Sequence, residues 1–293
     1  MFLLLCIMID IFDTGYFFAD GGAMFGAVPK TAWSRRYKSD DQNGCVLAMR
    51  SVLLEVSGRL ILIDTGAGSF HPSKMTYYRF FNLKSVGQCL NEKGYKLEDI
   101  TDVILTHLHF DHCGGCAVSE DNRKFRMAFP NARHWVGKEQ WDNFIRPHAL
   151  EKDSFFIDDM KAVEDSGLLR LINSAEDVIP ELSLKFADGH TPGQLIPYIT
   201  INGETLVFAG DVIPLAASVS PEWISAYDIA PLRSYDSKIR LLDEAAEKSQ
   251  RIIFCHDAYT VSSKVRKTKS GLYLLDRGSV IASKPIPQTL QED

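Results

Sequence analysis

The chain has 293 residues, 45% apolar and 24% charged. That balance excludes disorder, collagen and coiled-coil rods, and leaves one large globular domain or two ordinary ones. With 38 acidic against 32 basic side chains the net charge is −6, so the surface as a whole exerts no pull toward nucleic acid or an anionic membrane.

The N-terminus reads MFLLLCIMIDIFDTGYFF. No Lys or Arg precedes its apolar run, Asp10 interrupts the run, and no small-x-small cleavage site follows closely, so a buried strand over 3–12 fits better than an export signal. The run is also far too short to span a bilayer. A cytoplasmic protein translated from Met1 or Met8 is the expectation. Residues 20–30, DGGAMFGAVPK, read as a glycine-rich turn in which Met24 and Phe25 either anchor in the core or face a ligand.

Further apolar runs between turn residues predict strands over 46–56, 59–63, 102–106, 132–136, 182–187, 197–201, 205–209, 251–255 and 271–275. The first two flank Ser57-Gly58 and form a hairpin. Helical patterns fall at 84–93, 138–146, 157–165 and 236–249; in the last, Ile239, Leu242 and Ala246 repeat at 3–4 spacing among charges. Strand groups alternating with helices in both halves favour sheets covered by helices. Residues 213–235 fit no single period, contain Pro214, Pro221 and Pro231 with Trp223 and Tyr227, and read as a long irregular loop bordering a site or simply covering the core. Residues 261–293 read as a terminal hairpin and a tail beginning near Pro285 and Pro287.

The six cysteines do not form a disulfide framework in a chain this long without an export signal. Cys113 and Cys116 make one C-x-x-C without a second such pair, so small packing residues at a helix start are favoured over a redox pair or zinc knuckle.

Residues 106–115 read THLHFDHCGG. An H-x-H-x-D-H string arises by chance in well under about one such chain in a hundred. His107 and His109, two apart in an extended segment, point the same way and can chelate one cation. Asp111 and His112 follow where the chain turns and can hold a second. Imidazole with carboxylate suits Zn²⁺, and also Mn²⁺ or Fe²⁺. Three more predicted strands end in such groups: His190 after 182–187, Asp211 after 205–209 and His256 after 251–255. Ligands gather at the carboxyl ends of strands in layered α/β folds. His71, His134 and His148 lie outside the pattern and take no metal role.

THLHFDH, ADGHTPGQ with His190, FAGD with Asp211, CHD with His256 and ILIDTG at 61–66 together make the chain resemble the metallo-β-lactamase superfamily. The resemblance spans about 46–260. It implies an α/β (α+β) fold, a four-layer αββα sandwich forming a single domain over 1–293, with two divalent metal ions at one edge. It further implies that His107, His109 and His190 bind the first, that Asp111, His112 and His256 bind the second, and that Asp211 bridges them. Asp64 would orient a ligand imidazole or merely form the turn before Gly66, and Thr106 is a further supporting residue. The implied reaction is hydrolysis by a hydroxide bridging the metals, with Asp111 orienting it or moving a proton.

A true β-lactamase is disfavoured, because that group generally has Cys or Ser where Asp211 stands. A flavin-linked oxygen reductase is disfavoured by His109, where Glu is usual. The string HLHFDHCGG is similar to the N-acyl homoserine lactonases and their methyl parathion hydrolase relatives, implying a small ester or lactone substrate. One departure is Pro214, where some lactonases carry a tyrosine that assists at the substrate carbonyl; Tyr227 or Trp223 would have to replace it, and Met24 and Phe25 would contact an acyl chain. A phosphodiesterase, nuclease or organophosphate hydrolase is the alternative enzyme, though KVRKTK (264–269) is the only strong basic run. A non-catalytic binding member is the other alternative, and a homodimer is left open.

Overall fold

The computed structural model describes residues 7–119 and 124–286. Its strands, in chain order, are β1 (Met8–Asp20), β2 (Gly44–Val56), β3 (Arg59–Ile63), β4 (Asp102–Ile104), β5 (Ala117–Ser119), β6 (Phe125–Met127), β7 (Arg133–Gly137), β8 (Leu169–Ile172), β9 (Glu176–Ile179), β10 (Leu182–Phe186), β11 (Leu195–Ile201), β12 (Glu204–Phe208), β13 (Arg251–Ile253), β14 (Thr260–Lys267), β15 (Tyr273–Leu275) and β16 (Ile281–Ala282). The helices are α1 (Gly21–Phe25), α2 (Lys30–Trp33), α3 (Val86–Asn91), α4 (Phe110–Cys113), α5 (Lys138–Ile145), α6 (Asp158–Ser166) and α7 (Pro231–Glu247).

One sheet has the order β1-β2-β3-β4-β7-β8, the other β15-β14-β13-β12-β11-β10-β9, with β16 also on β14 and a separate β5–β6 pair. Side-chain alternation builds the layers. On β2, Leu53 enters a core with Leu62 of β3 and Trp141, Met160 and Val163 of α5 and α6. Its neighbours Val52 and Leu54 enter a second core against Leu184, Ile199 and Phe208 of the other sheet. A third core places Tyr198, Val207 and Ile252 under Leu241, Leu242 and Ala245 of α7. Three parallel cores between helix, sheet, sheet and helix are the expected αββα sandwich. The buried Arg50 ties the sheets together, pairing with Asp13 at 2.9 Å and donating to the Phe254 carbonyl at 2.6 Å.

Several expectations change. The first strand extends to Asp20 rather than ending at 12, and residues 3–6 of the expected strand lie outside those described. Residues 20–30 do not form an open turn: Asp20 caps α1 by accepting from Ala23 N (2.9 Å), and Gly21 is required because Trp33 leaves no room for a Cβ. Helix α7 starts at Pro231, five residues early, with the proline at its first position. The terminal hairpin is β14–β15; Pro287 lies outside the described residues. Cys113 and Cys116 are buried, unpaired and packed. Among the described residues no helix is long and apolar enough to cross a membrane.

Candidate metal centre

β10, β12 and β13 run in one direction, so their carboxyl ends share an edge, and β4 of the other sheet delivers its own end there. His107 and His109 occupy the extended segment after β4; Asp111 and His112 occupy the first turn of α4, where His112 N donates to the His109 carbonyl (3.0 Å). His190, Asp211 and His256 follow β10, β12 and β13 directly. The seven side chains meet. His107, His109 and His190 have ligating atoms within 4.8 Å of one another, and so do Asp111, His112 and His256. Asp211 lies between the groups, with Oδ1 3.2 Å from both His112 Nε2 and His256 Nε2 and Oδ2 3.4 Å from His190 Nε2.

Each imidazole is turned by a partner on its far nitrogen. His112 Nδ1 donates to Asp64 Oδ2 (2.8 Å) and His256 Nδ1 to the Ala48 carbonyl (2.8 Å). His190 Nδ1 donates to Asp228 Oδ1 (2.9 Å) and His109 Nε2 to Glu151 Oε2 (3.1 Å). The Thr106 hydroxyl gives its proton to Asp64 Oδ2 (2.8 Å) and therefore accepts from His107 Nδ1 (3.1 Å). That leaves His107 Nε2 as a lone pair inside the cluster, buried and without a hydrogen-bond partner. An orphaned imidazole nitrogen amid carboxylates fits a cation.

Burial opposes protonation of the clustered imidazoles, but the facing carboxylates, with Cys255 beside His256, raise His112, His190 and His256 above the ordinary histidine range, while His107 goes the other way. Burial, then the neighbouring His112 and His109, hold His107 well below the ordinary histidine range, in the neutral ligating form. Burial opposes ionisation of Asp211, but His256, His190 and His112 outweigh it and hold its carboxyl well below the ordinary range. Asp64 adopts the left-handed region (φ 54), a cost of order 1–3 kcal/mol for a non-glycine residue. That turn aims one carboxylate at Thr106 N (2.8 Å), Thr106 Oγ1 and His112. Turn former and orienting acid are the same residue in the same conformation.

A cavity of about 190 Å³ opens over the centre, walled by Phe17, Met24, Leu47, Phe110, Tyr78 and Tyr227, with Asp111, Asp211, His109, His190 and His256 at its floor. Among the described residues no Lys or Arg lines it. Two expected contacts fail. Phe25 is fully buried and stacks on Trp33 at 5.0 Å. Trp223 turns away, edge-on to Phe25 and under the Arg36 guanidinium at 4.1 Å. Both belong to the aromatic core beneath the cavity wall, because α1 and α2 bury their apolar sides together. Met24 and Tyr227 do line the cavity; burial pushes the Tyr227 phenol up to about 12, so it remains a donor at neutral pH.

Glu151, Asp228 and Tyr78 went unnoticed in the sequence, since each lies in an irregular segment with no motif. The remaining histidines stay outside the centre: His71 pairs with Asp159 (2.7 Å), His134 Nδ1 donates to the Ala132 carbonyl, and His148 Nδ1 accepts from Leu150 N.

A curated relative, the N-acyl homoserine lactonase AiiA of Bacillus thuringiensis subsp. kurstaki, is 25% identical over 224 residues, covering 69% of this chain and 78% of its own. A solved structure of a probable metal-dependent hydrolase from Staphylococcus aureus superposes with a TM-score of 0.86 at 26% identity, over 96% of this chain and 98% of that one. AidC, a dizinc quorum-quenching lactonase solved with N-hexanoyl-L-homoserine product, superposes with a TM-score of 0.77 at 19% identity, over 97% of both chains. At that identity the match with AidC speaks for the fold. The family model for the Metallo-beta-lactamase superfamily matches residues 50–256. On that match, which takes in β3 to β13 and all seven clustered side chains, the protein belongs to the metallo-beta-lactamase superfamily.

Proposed function

We propose that the protein is a metal-dependent hydrolase of uncharged esters or lactones, working at a centre of two divalent cations. The observation that carries the substrate class is the cavity. Its wall is largely apolar and phenolic, its floor is made of histidines and aspartates, and among the described residues no Lys or Arg lines it. A phosphodiester or the carboxylate of a β-lactam would find no Lys or Arg among the described residues of the wall to pair with the charge it carries beyond the metal centre, whereas a neutral ester or lactone needs none. The lactonase names of the relatives support the same class.

In this reading His107, His109 and His190 hold one cation, Asp111, His112 and His256 the other, and Asp211 reaches both. The nitrogen and oxygen donors suit Zn²⁺, with Mn²⁺ or Fe²⁺ as alternatives. When bound, such a pair lowers the pKa of water toward neutrality and polarises the oxygen of the group under attack. The chain's own groups supply the rest. Asp111 lines the cavity, with Oδ2 3.4 Å from His256 Nε2, and there accepts the proton released by the attacking water and passes it to the leaving alkoxide. The Tyr227 hydroxyl, on the cavity wall, donates to the substrate carbonyl in place of a group that Pro214 cannot offer. Met24, Phe17 and Phe110 exclude water and seat the apolar part of the substrate. The chain over 1–293 then acts as one catalytic domain with its core at about 46–260, to which β1 and α1 add Phe17 and Met24 of the cavity wall.

A substrate panel on metal-loaded protein tests this. Acyl lactones turned over faster than β-lactams and bis(p-nitrophenyl) phosphate support the reading. The reverse order refutes it and favours the β-lactamase or phosphodiesterase alternative. Intact fold and no ester turnover at all would leave a binding protein.

A further inference from the structure

One group touching the centre has no part in the mechanism above. Cys255 ends the run Arg251–Ile253, Phe254, Cys255 just before His256 and is buried in the core between the two sheets. Its Sγ lies 3.2 Å from Asp211 Oδ1. Sγ, Asp211 and His256 also fall within 4.8 Å of one another, as a ligating trio would. Two roles are therefore open to the thiol: direct ligation of a cation, or donation of its S–H to the shared carboxylate.

The surroundings decide between them. Asp111, His112, His256 and Asp211 already offer four donors to the second cation, and the water that hydrolysis needs would take the next position, so none is left for sulfur. Asp211 Oδ1 faces both His112 Nε2 and His256 Nε2, while the sulfur approaches that oxygen from the apolar core rather than from the cavity, which it does not line. On the other side of Asp211, the orphaned Nε2 of His107 marks where the first cation would sit. A carboxylate that must serve two cations at once needs its plane fixed, and a donor from the core side fixes it without occupying a metal position. Resting on the two-cation reading, we infer that Cys255 is a positioning residue whose S–H···Oδ1 hydrogen bond orients Asp211 between the two cation sites.

Cobalt(II) titration of the metal-free full chain tests this, followed by visible and near-ultraviolet absorption and by chelator competition. Wild type takes up two cobalt ions with no thiolate-to-cobalt charge-transfer band. Cys255→Val keeps the volume but loses the donor, and binds cobalt about 10–100-fold more weakly, with altered ligand-field bands. Cys255→Ser keeps a donor and restores most of that affinity. A charge-transfer band in wild type that Cys255→Ser removes overturns the inference, because the sulfur is then a ligand. Equal affinity and spectrum in Cys255→Val also overturn it, leaving the two-cation centre standing. Wild type that takes up no cobalt overturns both. If the Val variant does not fold, the wild-type spectrum and the Ser variant decide alone.

Discussion

The two halves of the metal centre are held in different ways. On one side, His112 is turned by Asp64 and His256 by the Ala48 carbonyl, at 2.8 Å each. Asp64 directly follows β3 and Ala48 lies within β2, so this half is set when the sheets form. On the other side, His109 is turned by Glu151 and His190 by Asp228. Both acids sit in irregular segments, and their neighbours face the substrate cavity: Leu150 lines it while 75% exposed, and Tyr227 lines it while 38% exposed. One half is thus part of the core and the other is part of the cavity's rim. On the proposed function, a substrate in the cavity would meet the same loops that aim His109 and His190, which would link occupancy of the cavity to that of this half.

The largest effect is expected where the halves meet. Asp211→Ala removes the carboxylate that faces both, so both cations are lost and turnover falls by more than the ~100-fold that losing an outer partner costs. Metal content by elemental analysis and kcat check it; two retained ions would mean that Asp211 does not join the halves.

The comparison itself is sharpened by matched substitutions. Asp64→Ala strips partners from Thr106 N, Thr106 Oγ1 and His112 in a buried site. Buried bonds to a charged acceptor are worth about 1.5–3 kcal/mol each, so the metal-free protein loses at least about 3 kcal/mol of stability. Glu151→Ala and Asp228→Ala, the same truncation made on loops, lower metal affinity about 10–100-fold while shifting the Tm of the metal-free protein less than Asp64→Ala does. Equal Tm losses in all three variants would erase the distinction between core-held and rim-held halves.

A smaller effect follows at the rim alone. Leu150→Ala removes apolar surface that a substrate tail covers, worth on the order of 1 kcal/mol. The KM of a long-chain acyl substrate rises about five-fold, that of a short-chain one stays, and metal content is unchanged. A fall in metal content would show that residue 150 steers Glu151 rather than the tail.

The same division governs what could be read before the structure was seen. The sheets were legible because burial on β2 and β3 alternates with period two, Val52 and Leu54 on one face and Leu53 on the other. Strands with polar or half-exposed sequences escaped: LRLI at Leu169–Ile172 and EDVI at Glu176–Ile179. The residues expected to ligate metal were legible because four fall in one hexapeptide and three end strands, and Asp64 and Thr106 lie beside them. Glu151 and Asp228 were not, since each meets its histidine across some 40 residues of chain from a segment without periodicity. Phe25 and Trp223 misled for the opposite reason. Their composition suits a substrate wall, but which side of a loop faces inward is set by tertiary packing, here the stack on Trp33.

The smallest effect concerns how the rim loop is anchored. Lys238 on α7 is only 2% exposed, and its Nζ donates to the Trp223 carbonyl at 2.7 Å, tying the segment that carries Tyr227 and Asp228 to the helix. Burial lowers its pKa from 10.5 to about 8, against the pull of Asp228 and Glu222. The depressed value means that the folded state disfavours the charged form. Below pH 8 both folded and unfolded chains carry the proton, and folding bears the full penalty of a buried ammonium. Between pH 8 and 10.5 the unfolded chain still binds a proton that the folded one has released, so this group's contribution to stability rises with pH. Lys238→Met has no such group. The stability of wild type relative to Lys238→Met, measured by urea unfolding, should therefore climb by about 1–3 kcal/mol across that window. A flat difference would mean that Lys238 keeps its proton in the folded chain throughout that window, held by the Trp223 carbonyl as an ammonium up to the pH at which the unfolded chain loses it.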